Sequence, residues 1–434
     1  MSQHTQFVFK RYEFEANSGE LRLYYGYDDS LEFCEYFKFD FEFTDYDEAA
    51  LDRALQLLFF MAGVSYYKLY LAPEIVVQAG DIDESLAAFL SKTYQRGLGE
   101  FFYVNRLDPE TPITFPPNTD QLEPVKLVEQ TGQLIGLGGG KDSLLSVELL
   151  RDQTKVATWS LNHHSQLEPL VEKVGLPHFS VEREWDKQLK SLNEQGALNG
   201  HVPISAIFAC VGAVVSILTG YKDNVVSNES SASEPTLNYR GVDINHQYSK
   251  SLEYEQDFQA IISQLFGDGL RYYSFLRPLS ELHIAELFAQ IGFTKYKDVF
   301  SSCNRAFRHN ENHLFWCGEC AKCAFVFLIL TPFIERNQLE SLWGGKNLLL
   351  DASLQKTYKQ LLGLQGDKPL DCVGEVKESR AAMRLAQEIY PELSHYKFDL
   401  SADYDFRSWS AQALPSETYD ILRSKLTNQQ SEHS

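Results

Sequence analysis

The most informative run of this sequence reads Leu134-Ile135-Gly136-Leu137-Gly138-Gly139-Gly140-Lys141-Asp142-Ser143. An apolar strand leads into three consecutive glycines, and a helical pattern follows over residues 141–151. Glycine lets backbone N–H groups approach a phosphate closely. The start of a helix adds free N–H groups and the positive end of the helix dipole. The run therefore predicts a phosphate-binding loop between a strand and a helix.

The spacing of this run excludes two common phosphate-binding loops. A Walker loop needs a glycine where Ile135 stands, and a Ser or Thr where Asp142 stands. The dinucleotide fingerprint G-x-G-x-x-G fails because its third glycine is replaced by Lys141. A hydroxyl at Ser143 and a carboxylate able to hold Mg²⁺ at Asp142 complete the predicted loop.

The pattern around the loop predicts an α/β fold. Strand patterns at 133–137, 156–161, 178–181 and 224–227 alternate with helical patterns at 141–151, 167–174 and 204–218. This alternation favours a parallel sheet covered by helices, which binds ligands beyond the carboxyl ends of its strands. A hydroxyl-rich run, residues 227–233, follows the fourth strand and suits a ligand cradle.

The remaining patterns predict three parts. Residues 6–44 have strand alternation with turn signals, which indicates an antiparallel meander. Five prolines between 107 and 124 interrupt all periodicity and indicate a linker. We expect an N-terminal α+β domain at 1–122, a nucleotide-binding domain at 123–345 and a mainly helical region at 346–434.

Four of the seven cysteines are clustered, and the other three, Cys34, Cys210 and Cys372, are scattered. Close Cys-x2-Cys spacing presents several thiolates to one tetrahedral ion. The predicted ligands of a structural Zn²⁺ are Cys303, Cys317, Cys320 and Cys323. Cys303 is the most replaceable of the four, by His309 or His313. Free structural cysteines and a redox Cys-x2-Cys pair are the alternative interpretations.

Two polar segments contain candidates for proton transfer. His201 stands just before the helical pattern of 204–218, and the run 245–251 contains His246, Tyr248 and Lys250. Lys250 also suits a phosphate contact. The alternative interpretations are a surface loop for His201 and an exposed helix cap for the second segment.

Composition and charge exclude several partners. The 434 residues include 39 Lys and Arg against 60 Asp and Glu, a net charge of −21. Nucleic-acid binding needs a basic surface, so we expect no nucleic-acid partner. No run reaches the about 20 apolar residues of a membrane span, and the N-terminus lacks an apolar leader. We expect a cytoplasmic protein without a membrane partner, and no pattern indicates its oligomeric state.

Residues 138–143 resemble the pyrophosphate loop of the ATP pyrophosphatase superfamily, Ser-Gly-Gly-x-Asp-Ser, with Gly138 in place of the first Ser. The resemblance implies a PP-loop domain of adenine-nucleotide alpha-hydrolase type, which cleaves ATP between its α and β phosphates. It implies that the ATP phosphates are held by Gly138, Gly139, Gly140, Lys141 and Ser143, with Asp142 near Mg²⁺. A similar cysteine-rich knot occurs in deazaguanine synthases of the same superfamily.

Nearly the whole sequence is similar to the UDP-N-acetylmuramoyl-L-alanyl-L-glutamate epimerase family. The matching blocks include 24–29, 138–143, 245–251, 302–305, 316–327 and 370–376. The resemblance implies an isomerase of peptidoglycan biosynthesis that inverts the terminal L-glutamate of this UDP-muramoyl dipeptide. An acyl adenylate would be the intermediate, and AMP and pyrophosphate the by-products. The candidate catalytic residues are Asp142, His201, His246, Tyr248 and Lys250.

Two other functions fit parts of the sequence. One is a PP-loop ATP pyrophosphatase that modifies a nucleobase or a tRNA, which the cysteine cluster favours and the acidic charge disfavours for tRNA. The other is a regulatory module that binds a nucleotide without turning it over. The run Lys141-Asp142-Ser143 argues against the regulatory module.

Overall fold

The computed structural model describes residues 4–308 and 312–432. Its strands are β1 (Gln6–Glu15), β2 (Glu20–Tyr27), β3 (Leu31–Phe39), β4 (Glu74–Val77), β5 (Gln133–Gly136), β6 (Val156–Leu161), β7 (His178–Glu184), β8 (Asp223–Val226), β9 (Leu237–Tyr239), β10 (Val242–Ile244) and β11 (Arg271–Ser274).

The helices up to residue 300 are α1 (Glu48–Ala62), α2 (Val64–Tyr67), α3 (Glu84–Gly97), α4 (Gly99–Val104), α5 (Lys141–Leu150), α6 (His164–Val174), α7 (Gln188–Glu194), α8 (Ile204–Thr219), α9 (Leu252–Phe266), α10 (Glu281–Ile291) and α11 (Phe293–Tyr296). Those that follow are α12 (Ala321–Leu330), α13 (Arg336–Ser341), α14 (Gln355–Leu361), α15 (Val376–Ile389) and α16 (Ser416–Glu432). Short 3-10 turns lie at Ser230–Ser233, Tyr248–Lys250, Gly267–Gly269, Ala352–Leu354 and Pro391–His395.

One mixed sheet organises the described residues, with the strand order β11-β8-β5-β6-β7-β3-β2-β1-β4. The five strands β7, β6, β5, β8 and β11 are all parallel to their neighbours in this group. Numbered along the chain, they stand in the order 3-2-1-4-5, so the winding reverses between β5 and β8. The predicted α/β fold with a parallel sheet is confirmed. Ligands of such sheets bind in the crevice at this switch point.

The N-terminal strands extend the same sheet. β1, β2 and β3 form the expected antiparallel meander, and β3 also pairs antiparallel with β7, from Tyr36↔Glu184 to Phe39↔Val181. A buried ion pair reinforces this seam, with 2.6 Å between Arg183 Nε and Glu35 Oε1. The sheet therefore runs across the domain boundary expected at residue 122, and the division into three domains stays a prediction.

The C-terminal part is mainly helical, as expected. α12 is buried along its whole length and packs against α10, α14 and α15. Apart from Lys322 this helix is apolar, which explains its position, because an apolar helix gains hydrophobic free energy on each side that other elements cover. The proline-rich segment 107–124 contains neither helix nor strand. Within the described ranges, no helix has the length and apolar character that a membrane crossing requires.

Candidate active site

A cleft of about 540 Å³ opens at the carboxyl ends of β5, β6 and β8. This is the edge at which the winding of the parallel strands reverses. The cleft is lined by the loop residues Gly138, Gly140, Asp142 and Ser143, by Asn162, Ser227 and Asn228 after neighbouring strands, and by Lys250, Ser302, Lys322 and Cys372. The fold thus joins the predicted phosphate loop and the first two residues of the hydroxyl-rich run, Ser227 and Asn228, in one cleft.

The glycines of the loop have different structural requirements. Gly139 has φ +87°, and a Cβ there would lie 2.6 Å from Leu314 Cδ1. A Cβ on Gly140 would lie 2.9 Å from Ser302 Oγ. Around a Cβ on Gly138, no heavy atom of the described chain lies within 4 Å. Gly139 therefore supports the turn itself, and Gly138 leaves free space on the cleft.

The start of α5 is tied to the segment that precedes the cysteine cluster. The backbone N–H of Lys141 donates to Ser302 Oγ at 3.2 Å, and Ser143 Oγ donates to the Gly140 carbonyl at 3.1 Å. Ser302 immediately precedes Cys303. The position of the glycine loop therefore depends on the segment that contains the cysteines.

Lys141 points away from the cleft. Its side chain is fully buried, and its ammonium pairs with the carboxylates of Asp142 and Glu281. Burial lowers the pKa of Lys141, but Asp142 and Glu281 raise it above its usual value overall. The lysines that line the cleft are instead Lys250 and Lys322, the second of which also contacts Glu281 Oε1 at 3.1 Å. The sequence predicted Lys141 and Lys250 as phosphate contacts, and of these two only Lys250 is among the described lining residues of the cleft.

Arg277 fixes the backbone around Lys250. Its guanidinium is buried and pairs with Glu255, with 2.8 Å between Nε and Oε2. It also donates to the carbonyls of Glu229 and Lys250, each at 2.5 Å. Since Arg277 follows β11, this network fixes Lys250 relative to the carboxyl end of the parallel sheet.

His201 and His246 meet at Glu100. The Glu100 carboxylate pairs closely with His246 Nδ1 and lies 3.8 Å from His201 Nδ1. Burial lowers the pKa of His201 to about 4. Burial also lowers the pKa of His246, but Cys372 and Glu100 outweigh it and raise the value to about 9. His246 is therefore a cation and His201 is neutral at pH 7.

Only one of the four side chains predicted for proton transfer lines the cleft. That residue is Lys250; among the described lining residues, His201, His246 and Tyr248 do not occur. Tyr248 packs edge-on against Tyr254, with ring centroids 6.1 Å apart. Burial raises the pKa of Tyr248 above its usual value, so its hydroxyl stays protonated.

Cys372 was missed as a site residue because its thiol is far from other cysteines in the sequence. In the fold its Sγ accepts from Lys250 Nζ at 3.4 Å and lies 3.9 Å from His246 Nε2. Burial raises the pKa of Cys372, but Lys250 and His246 lower it further, to about 6. The only sequence signal was its place in the block 370–376.

The four clustered cysteines converge on one point. Their Sγ atoms all lie within 4.8 Å of one another; the Cys303–Cys320 and Cys317–Cys323 pairs are each 3.8 Å apart. Zn–S bonds of about 2.3 Å in a tetrahedron put the sulfurs about 3.8 Å apart. The backbone N–H groups of Arg305, Glu319 and Cys323 donate to Cys303, Cys317 and Cys320.

This arrangement fits a structural metal ion such as zinc. Cys303 takes part in the cluster, so the set is complete without a histidine. Of the two histidines considered as substitutes, His309 lies outside the described residues.

Two family models match the chain. The MurL N-terminal domain matches residues 1–275, and the MurL C-terminal domain matches residues 299–396. Three curated relatives share the name UDP-N-acetyl-alpha-D-muramoyl-L-alanyl-L-glutamate epimerase.

These relatives cover most of the chain. The one from Salinispora tropica is 40% identical over 400 residues, which is 88% of this chain and 85% of the relative. Those from Micromonospora sp. and Xanthomonas oryzae pv. oryzae are 38% and 39% identical over 391 residues, 88% of this chain and 87% and 86% of the relatives. Such identity over such a length shows common descent, and the chain belongs to the MurL family.

Proposed function

We propose that this member of the MurL family inverts the terminal L-glutamate of UDP-N-acetylmuramoyl-L-alanyl-L-glutamate through an acyl adenylate formed in the cleft. The observation that carries the chemistry is the placement of the glycine loop. Gly138 is open towards a cleft that also contains Asp142, Ser143, Lys250 and Lys322. The 3-2-1-4-5 order of the parallel strands supports a PP-loop domain of adenine-nucleotide alpha-hydrolase type.

Activation of the substrate carboxylate has a clear physical reason. The α-proton beside a free carboxylate is very weakly acidic, because its removal would create a dianion. In an acyl adenylate that carboxyl group no longer has a negative charge, so the carbanion can delocalise as an enolate. Reprotonation on the other face inverts the centre, and hydrolysis of the adenylate returns the acid. Pyrophosphate leaves when the adenylate forms, and AMP leaves when the adenylate is hydrolysed.

The residues of the cleft fit the binding of ATP. The N–H groups of residues 138–140 supply donors for phosphate oxygens. The Ser143 hydroxyl becomes a further donor when it turns from the Gly140 carbonyl to a phosphate. Lys250 and Lys322 line the same cleft and supply positive charge. Asp142 is partly exposed and would hold Mg²⁺. Lys141 supports the loop from beneath by pairing with Asp142 and Glu281.

Proton transfer needs an acceptor on one face of the α-carbon and a donor on the other. Of the residues expected to take these roles, Lys250 lies in the cleft. His246 and His201 lie behind it, and Tyr248 is buried elsewhere. We therefore assign Lys250 to proton transfer in the cleft, and we assign His246 to a supporting position behind it.

The cysteine cluster has a structural role in this proposal. Four thiolates around one zinc leave no open position for a substrate. Ser302, next to Cys303, touches both Gly140 and the N–H of Lys141. A zinc ion bound there would hold the glycine loop in place.

One incubation tests the proposed function. The protein is mixed with UDP-N-acetylmuramoyl-L-alanyl-L-glutamate, ATP and Mg²⁺, the product is hydrolysed, and the chirality of its glutamate is determined. AMP and pyrophosphate are assayed in parallel. We expect D-glutamate together with AMP and pyrophosphate. Inversion without AMP would refute the adenylate, and AMP without inversion would point to another substrate.

A further inference from the structure

Cys372 occupies the cleft end of a chain of ionisable groups. The Glu100 carboxylate pairs with His246 Nδ1, and Cys372 Sγ lies 3.9 Å from His246 Nε2. On its other side, Lys250 Nζ donates to the same sulfur at 3.4 Å. Cys372 and Lys250 both line the cleft with the glycine loop, whereas His246 and Glu100 lie behind them.

The surroundings of the sulfur favour a thiolate. The charged groups that face it are Lys250, His246 and Lys322, and all three lower its pKa. Burial opposes them, but the net pKa of Cys372 is about 6. Thiolates held by neighbouring cations are the reactive form of cysteine. At pH 7 the cleft thus contains a desolvated anion that is able to accept a proton.

The other candidates for proton transfer are poor proton acceptors in the cleft. The pKa of Lys250 is raised above its usual value, first by the charge of Cys372, so Lys250 stays an ammonium. His246 is also protonated, and His201 is separated from the cleft. Asp142 is the carboxylate assigned to Mg²⁺. Two other bases line the cleft, Cys372 and His163. The His163 ring stacks on Phe307 with centroids 4.0 Å apart. The Cys372 sulfur instead contacts both Lys250 and His246, so Cys372 is the base with cations positioned beside it.

We propose that Cys372 is one of the two acid–base residues that exchange the α-proton of the terminal glutamate, and that His246 positions its sulfur and balances its charge. The proposal rests on the proposed function. In the forward step the Sγ–H bond forms and the Cα–H bond breaks. The electron pair of that bond moves into the enolate of the activated acyl group. A second donor protonates the opposite face and regains a proton from water, while Cys372 gives its proton to water, so the protons balance and no redox partner is needed.

The first test separates adenylation from proton exchange. Cys372→Ser and Cys372→Ala are assayed for AMP release, for inversion, and for deuterium uptake from heavy water into the glutamate. We expect AMP release within a few fold of the parent, and inversion reduced at least about 100-fold. Cys34→Ser is the matched control, because Cys34 lies on β3 and pairs with Tyr24, away from the cleft. It should keep both activities.

Inversion at the parental rate in either Cys372 variant would overturn the proposal. So would loss of AMP release together with inversion in a variant whose circular dichroism spectrum matches the parent, because that result would place Cys372 in adenylation. If the parent inverts without releasing AMP, the adenylate is refuted, while the inversion rates of the variants still decide the role of Cys372.

The second test measures the reactivity of the Cys372 thiol in the parent protein itself. The parent is treated with iodoacetamide over a range of pH, and alkylation of the Cys372 peptide is measured by mass spectrometry. We expect a midpoint near the pKa of about 6, and loss of inversion in proportion to alkylation. His246→Gln should shift the midpoint upward by roughly one pH unit. A parental midpoint near the about 8.5 of a free thiol would overturn the proposal.

Discussion

Lys141 and Glu281 form an ion pair that is closed off from solvent beneath the glycine loop. Lys141 begins α5 and Glu281 begins α10, so the pair joins the starts of two helices. Asp142 and Lys322 extend the pair on either side. A lysine that follows three glycines thus has a structural role here, because it anchors the loop whose Gly138 and Gly140 line the cleft.

Glu281→Gln should destabilise the protein strongly. The substitution keeps the shape of the side chain but leaves Lys322 and Lys141 without their shared carboxylate. Removal of one partner from a buried pair costs about 3–5 kcal/mol. Urea unfolding measures the loss. Asp152→Asn removes an exposed pair with Lys425 and should leave the unfolding curve unchanged; equal effects of the two variants would contradict the role of burial.

Gly139→Ala and Gly138→Ala should differ although the glycines are adjacent. At Gly139 the new Cβ meets Leu314 and the φ of +87° is unfavourable for alanine. We expect a loss of about 1–2 kcal/mol or more in unfolding free energy. At Gly138 the space is open, and we expect a change of about 0.5 kcal/mol or less. Similar losses in both variants would be inconsistent with this geometry.

Asp142→Ala should abolish AMP release and leave the fold intact. The carboxylate is the proposed Mg²⁺ ligand, and loss of such a charge stabiliser lowers turnover by at least about 100-fold. AMP formation and the circular dichroism spectrum are compared with those of the parent. Retained AMP release would remove Asp142 from the mechanism.

Metal analysis of the purified protein should find about one zinc per chain. Cys320→Ser should lose the metal and lower the unfolding temperature, because the four Sγ atoms form one closed site and structural zinc contributes directly to folding. Cys34→Ser should keep the metal. A parent protein that is metal-free and equally stable would dismiss the zinc site.

His178 should make the protein less stable in acid. Its Nδ1 shares a hydrogen bond with Thr158 Oγ1 at 2.8 Å, and its Nε2 shares one with Ser160 Oγ at 3.0 Å. Burial lowers the pKa of His178 from 6.5 to about 4, so the unfolded chain binds more protons between these values. The contribution to stability is complete above pH 6.5 and is lost as the pH falls towards 4.

Replacement of His178 measures this contribution. Between pH 6.5 and pH 4 the parent should lose about 2–3 kcal/mol of unfolding free energy through His178. His178→Gln should not show this part of the loss, as measured by urea unfolding at several pH values. His395→Gln, at an exposed turn, is the control and should leave the pH profile unchanged. A profile of His178→Gln that matches the parent would contradict the assignment.

Local sequence was sufficient for features that short segments encode. The three glycines after an apolar strand predicted the loop at the start of α5. The Cys-x2-Cys-x2-Cys spacing predicted the convergence of thiols, and strand and helix periodicity predicted the parallel sheet. These features depend on neighbours a few residues apart, whose geometry the backbone restricts directly.

The tertiary structure alone decided which distant groups meet. Cys372 stands 122 residues from Lys250 and 126 from His246, and Arg183 stands 148 from Glu35. The inward turn of Lys141 depends on Glu281, 140 residues away. No periodicity encodes such contacts, because they arise only when packed elements exclude water and bring opposite charges together. The sequence by itself thus determined the loop, the clustering of the four cysteines and the family, and the packing of helices against the sheet determined which side chains face the cleft.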